Sequence, residues 1–298
     1  MFKKTLLQLI RFLKGKCKMK RVKIVTDSTV DLADELIEKY EIEVIPLSIT
    51  INGETFLDRV DIEPAEFIQK MKEADNLPKT SQPPVGLFLE TYNKLSDQGY
   101  EIISIHMTGG MSGTVDSARS AASLTEADVT VFDSEFISKA LSFQVIEAAI
   151  CAQNGKNKDE IIEKIQHIRK HTKLYVVVDT LENLIKGGRI GKGKAFIGSL
   201  LNIKPIASLE EGVYNPVTKV RSRAQAVKYL ANAFAEDCLG KTIKRVGITH
   251  ADSLDYAKML QEAIEKVSGF NKIEIDFTTP VISTHTGPGA LGFSYYAE

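Results

Sequence analysis

The segment Thr108-Gly109-Gly110-Met111-Ser112-Gly113-Thr114 concentrates hydroxyls and glycines where an apolar run, Glu101–Met107, gives way to a helix-like stretch from Val115 to Leu124. Glycines free the backbone for a tight turn and leave N–H groups open to an acceptor. Helix N-termini favour negative charge, so the segment reads as an anion cradle built on Ser112, Gly113 and Thr114. Residues 110–114 also approximate the G-x-S-x-G nucleophile elbow, with Thr114 in place of the final glycine. His285 and either Asp252 or Asp133 would complete a serine-hydrolase triad, although no spacing ties them to Ser112.

Other residues with chemical potential are scattered. Thr80 and Ser81 form a hydroxyl pair in a segment that Pro83 and Pro84 hold extended; the plainer reading is an N-cap for a helix over 85–95. His285 lies between hydroxyls and glycines in Ser283–Ala290, which predicts an exposed, tightly turned loop and a histidine able to donate to an anion. Three apolar runs end in Asp plus a hydroxyl: Asp27-Ser28, Asp133-Ser134 and Asp179-Thr180. Helix capping is the expected role for the latter two, and a ligand contact at a strand carboxyl end competes with capping for Asp27 and Ser28. Gly188–Lys194 fits G-x-x-x-x-G-K, but Ala195 stands where a magnesium-binding hydroxyl is needed and the preceding residues look helical. A nucleotide loop is rejected, and Arg189 remains as an anion contact, as do Arg221 and Arg223. The other four histidines form no metal-ligand spacing.

The elements that must position these residues alternate. Strands are expected at 22–26, 43–49, 102–106 and 129–132, with helices at 32–39, 64–73, 85–95 and 138–152. Asn52-Gly53 predicts a hairpin. A charged helix over 158–172 leads to a second unit with strands at 174–178, 206–209, 213–214, 245–249 and 273–277 and helices at 225–235 and 254–267. The pattern predicts two α/β domains, a parallel-sheet domain over 21–165 and a second, mixed-sheet domain over 166–298. At 298 residues the chain is long enough for both without staples.

A net charge of −1 gives no general attraction to nucleic acid. Cys17, Cys151 and Cys238 have no disulfide or metal spacing, as expected for a reducing cytoplasm. Residues 1–23 hold nine Lys or Arg and no acidic residue around an apolar set, too short for a membrane span and without a signal-cleavage site. Two readings stand for residues 1–20: a basic amphipathic helix touching anionic lipid, or an extension upstream of a start at Met19.

Taken in order, Thr26-Asp27-Ser28, Thr80-Ser81-Gln82-Pro83, Met111-Ser112-Gly113-Thr114, Gly188-Arg189-Ile190 and His285-Thr286-Gly287-Pro288-Gly289 resemble the motifs of the DegV family, bacterial fatty-acid-binding proteins. The resemblance covers residues 21–298. It implies two α/β domains with a long-chain fatty acid in a tunnel between them. The carboxylate would be held by hydroxyls matching Thr80 or Ser81 and Ser112, with His285 close by. It implies a non-catalytic carrier without cofactor or metal; some members present the acid to an ATP-dependent fatty acid kinase subunit, and a lipid carrier with no kinase partner is the alternative. Arg189 and one of Arg221 or Arg223 would then lie near the head group or that partner. Phe196–Ile203 is the apolar stretch expected to line the tunnel. Each buried methylene contributes roughly 0.8 kcal/mol, so a sixteen-carbon tail has a gross drive near ~12 kcal/mol, offset by ordering.

Overall fold

The computed structural model of the chain describes residues 21–193 and 203–298. The basic extension and almost all of the expected tunnel stretch, Phe196–Ile203, therefore lie outside the described residues.

The first domain holds a parallel sheet of order β2-β1-β6-β7, made of β1 (Arg21–Asp27), β2 (Glu43–Ile45), β6 (Tyr100–His106) and β7 (Val129–Asp133). Its strands are apolar runs because helices cover both faces. Around it lie α1 (Asp34–Lys39), α2 (Pro64–Glu73), α3 (Val85–Asp97) and α4 (Thr114–Ser123). Beside it, β3 (Ser48–Ile51), β4 (Glu54–Leu57) and β5 (Lys79–Ser81) form a small antiparallel sheet of order β4-β3-β5. The expected single strand over 43–49 is thus two strands in two sheets, broken at Pro46-Leu47. The hairpin is present, with positive φ at both Asn52 and Gly53.

α5 (Ser138–Gln153) is buried on almost every side and packs against strands of both large sheets. After α6 (Lys158–His171) the chain enters the second sheet, of order β10-β9-β8-β13-β11-β12. Its strands are β8 (Thr172–Val177), β9 (Lys204–Glu210), β10 (Val213–Val220), β11 (Ile243–His250), β12 (Ile273–Phe277) and β13 (Leu291–Ala297); only β11–β12 is parallel. The helices here are α7 (Glu182–Lys186), α8 (Arg223–Asp237), α9 (Leu254–Ser268) and α10 (Pro280–Thr286). A boundary at 165/166 would cut α6, and we place the division at the α6–β8 junction.

Two features correct the sequence reading. Ser283–Thr286 is helix, not exposed loop, and Ser283, Thr284 and Thr286 are buried. β-branched and hydroxyl residues are weak helix formers; here Thr284 and Thr286 return their hydroxyls to the carbonyls of Pro280 (2.9 Å) and Ile282 (3.0 Å), Pro280 starts the helix, and Gly287 at φ +77° ends it. β13, absent from the sequence reading, lies between β8 and β11.

Buried polar contacts join the domains. Asp31 accepts from Ser138 Oγ (2.5 Å), Thr278 Oγ1 (2.8 Å) and the Thr279 N–H (3.0 Å). Lys139 of α5, almost fully buried, pairs with Glu274 (2.7 Å) and Asp276 (2.5 Å) on β12. Among the described residues, no helix is long and apolar enough to cross a membrane, and no three His, Cys, Asp or Glu side chains are grouped to hold a metal ion.

Candidate functional site

A cavity of about 550 Å³, counting its opening, lies between the domains. Leu47, Met107, Met111 and Ile137 of the first domain face Val176, Leu184, Leu209, Tyr214, Val281 and Ile282 of the second. A neighbouring cavity of about 320 Å³ shares Ile137, Val176, Ile282 and Thr286 with it and extends towards Leu174, Ala290 and Leu291.

One end of the larger cavity is polar. Thr80, Ser112, Arg189 and His285 line it together, although they lie on β5, the loop before α4, the loop after α7 and α10. Thr80 Oγ1 and His285 Nε2 are 2.8 Å apart. Burial, and then the charge of Arg189, push the His285 imidazole down to about 4, so it is neutral at pH 7. Its Nδ1 is buried without a partner, packed on Gly187, where any Cβ would collide with it. Arg189 donates from Nε to the Met111 carbonyl (2.9 Å) and from Nη1 to the Gly187 carbonyl (2.6 Å). Its guanidinium therefore braces the two loops that carry Ser112 and His285's neighbour, Gly187.

The loop over 108–114 is not the open cradle its glycines suggest. The Gly109 N–H donates to Asp133 (3.1 Å), the Gly110 N–H to Thr108 Oγ1 (3.1 Å), and the Met111 and Ser112 N–H groups to the Thr108 carbonyl (3.2 and 3.3 Å). Gly110 is needed for close approach instead: a Cβ there would lie 2.6 Å from the carbonyl oxygen of Gly212, in the β9–β10 turn. Thr108 Oγ1 donates to that same oxygen (2.8 Å). What the loop offers the cavity is the Ser112 side chain, whose Oγ sits 2.8 Å from Thr114 Oγ1.

Several expected contacts lie elsewhere. Ser81 alternates with Thr80 along β5 and is exposed. Gly113 turns towards Gln82, and Thr114 is buried behind Ser112. Asp27 is a core residue, accepting from the Met107 N–H (2.8 Å) and Thr29 Oγ1 (2.6 Å). Ser28 donates to Asp58 (2.7 Å) and accepts from the Leu47 N–H (3.1 Å), bracing rather than lining the cavity. Arg223 pairs with Asp179 (3.2 Å) and lies over the Tyr256 ring, and Arg221 is exposed at the start of α8; neither lines the cavity. Asp133 and Asp179 are not helix caps: the first holds the Gly109 and Glu135 N–H groups, the second a pair of cations.

The hydrolase triad is not assembled either. Asp133 is spent on backbone amides, Asp252 pairs with Lys72 (2.7 Å), and His285 meets Thr80 rather than Ser112. A Ser–His–Asp chain does exist, Ser104 to His106 (2.6 Å) to Asp27 (3.1 Å), but all three are fully buried in the core with Tyr92 on Ser104 (2.8 Å). That position gives no substrate access. Sequence reasoning missed the walls, Leu47, Ile137, Val281, Ile282 and Tyr214 among them; as apolar or aromatic residues they carry the same signal as any core position.

The family described as "Uncharacterised protein, DegV family" matches residues 21–298, and the chain belongs to it. It is 44% identical over 281 residues to a DegV domain-containing protein of Listeria monocytogenes, covering 94% of this chain and 100% of that one. A solved fatty-acid-binding DegV family protein from Thermus thermophilus superposes with a TM-score of 0.88 at 31% identity, covering 93% and 100% of the two chains. DegV from Bacillus subtilis, described as a fatty acid binding protein, superposes at 0.85 with 33% identity, covering 94% and 100%.

Proposed function

We propose that the protein binds one long-chain fatty acid in the interdomain cavity and presents its carboxylate to a separate ATP-dependent kinase subunit. The observation that carries this is an apolar cavity whose polar end presents Thr80, Ser112 and a neutral His285, with the Arg189 guanidinium beside them bonded to the Met111 and Gly187 carbonyls. Two family members of known structure, from Thermus thermophilus and Bacillus subtilis, are fatty-acid-binding proteins, which supports the same ligand class here.

The chemistry follows from the donors. With His285 Nε2–H donating to Thr80 Oγ1, the Thr80 hydroxyl proton is turned to a carboxylate oxygen, and Ser112 donates to the head group beside it. Hydroxyl donors hold a carboxylate without a full ion pair, leaving an oxygen nucleophilic enough to attack the γ-phosphorus of ATP supplied by a partner. The new acyl O–P bond forms as ADP leaves. The apolar walls supply most of the affinity at roughly 0.8 kcal/mol per buried methylene.

Loading the protein with radiolabelled palmitate and adding ATP with lysate of the source cells tests this directly. The reading expects ATP-dependent acyl phosphate, trapped by hydroxylamine. Retention of palmitate with no trapped product would make the protein a carrier without a kinase partner.

A further inference from the structure

The described part of the segment rejected as a phosphate loop, Gly188–Gly193, has another structural task. Gly191 and Gly193 lie against Tyr214 of β10. A Cβ at 191 would sit 2.9 Å from the Tyr214 carbonyl oxygen, and one at 193 would sit 2.8 Å from its ring Cε1. The Tyr214 ring, 1% exposed, packs against these glycines and lines the cavity.

That hydroxyl has no hydrogen-bond partner among the described residues. Buried phenols ordinarily find one, because an unpaired buried donor is costly. The cavity's other polar side chains each have a partner: Thr80 with His285 Nε2, Ser112 with Thr114, Thr286 with the Ile282 carbonyl, Arg189 with two carbonyls; the remaining orphaned atom, His285 Nδ1, is packed on Gly187. A saturated acyl chain has no acceptor to offer the phenol, so for such a ligand phenylalanine would serve better at this position. An oxygen carried on the chain would satisfy it.

We propose that Tyr214 is a specificity-determining residue whose hydroxyl donates to an oxygen on the acyl chain, so that the cavity takes a hydroxylated long-chain acid in preference to its saturated parent. Tyr214 stands opposite Leu209, next to the β9–β10 turn that is tied to the loop bearing Ser112. The oxygen it meets therefore belongs to the carboxyl-side half of the chain. This rests on the fatty-acid reading and adds the chemical class of the tail.

Competition binding on the delipidated full chain, using palmitate and its 2-, 3-, 9- and 16-hydroxy isomers with wild type and Tyr214→Phe, decides it. One isomer hydroxylated in the carboxyl-side half should bind wild type more tightly than palmitate and lose about ten-fold in Tyr214→Phe, equivalent to about 1.4 kcal/mol. Palmitate itself should bind the variant as tightly or more so. Equal weakening of every acid would make Tyr214 a head-group contact and overturn the proposal, as would an unchanged ranking of the acids. Wild type that takes up no acid at all would overturn the fatty-acid reading itself, a result distinct from either.

Discussion

Replacing His285 with Gln removes a titrating group from the head-group end while keeping an amide nitrogen in reach of Thr80. In the folded, ligand-free protein the imidazole is pushed from its ordinary 6.5 to about 4, first by burial and then by Arg189. A depressed histidine contributes stability that is fully present above 6.5 and is lost as pH falls towards the folded value, because the unfolded chain takes the proton first. At pH 4.5 the unfolded chain is almost fully protonated at this site and the folded chain only about one-quarter so. The difference amounts to about 2.5 kcal/mol relative to pH 7.5. Urea unfolding of delipidated wild type and His285→Gln at both pH values isolates it, since every other group titrates in both proteins. Wild type should lose about 2.5 kcal/mol more than the variant on acidification. A bound carboxylate would favour the protonated ring, so saturating palmitate should shrink that excess. Equal losses in the two proteins would refute the account of a buried, neutral imidazole.

Three further substitutions probe the frame around it. Ser112→Ala removes a head-group donor and should weaken palmitate binding about five- to ten-fold in competition assays; an unchanged affinity would remove Ser112 from the site. Gly187→Ala drives a methyl into His285 Nδ1 and should cost about 1–3 kcal/mol in urea unfolding, with stability equal to wild type arguing against that packing. Lys139→Met leaves Glu274 and Asp276 without their buried cation and should cost about 2–3 kcal/mol, less than for a fully buried pair because both carboxylates are partly exposed; a neutral result would mean that the domains are not joined there.

The sequence carried the parts of this fold that depend on local pattern. The α2 boundaries at Pro64 and Glu73 and the Asn52-Gly53 turn were legible because proline at a helix start and glycine at positive φ act on their own neighbours. α10 was not, because its Val-Ile-Ser-Thr-His-Thr run is stabilised by burial and back-bonded hydroxyls rather than by propensity. β13 was obscured by Gly292 and by being buried along most of its length, which erases alternation. At the site, Thr80 and Ser81 were indistinguishable until β5 pointed one inward and the other to solvent. The amides of the 108–114 loop looked free because their acceptors, Asp133 and the Thr108 side chain and carbonyl, are claimed only once the loop closes on itself and on β7.

The central claim is that the cavity between the sheets is an acyl-chain site, and native mass spectrometry of the full chain purified from a bacterial host tests it most directly. The account predicts one bound long-chain fatty acid per chain, released on denaturation and replaced by added palmitate or oleate. Protein that emerges unliganded and also takes up neither acid would contradict it.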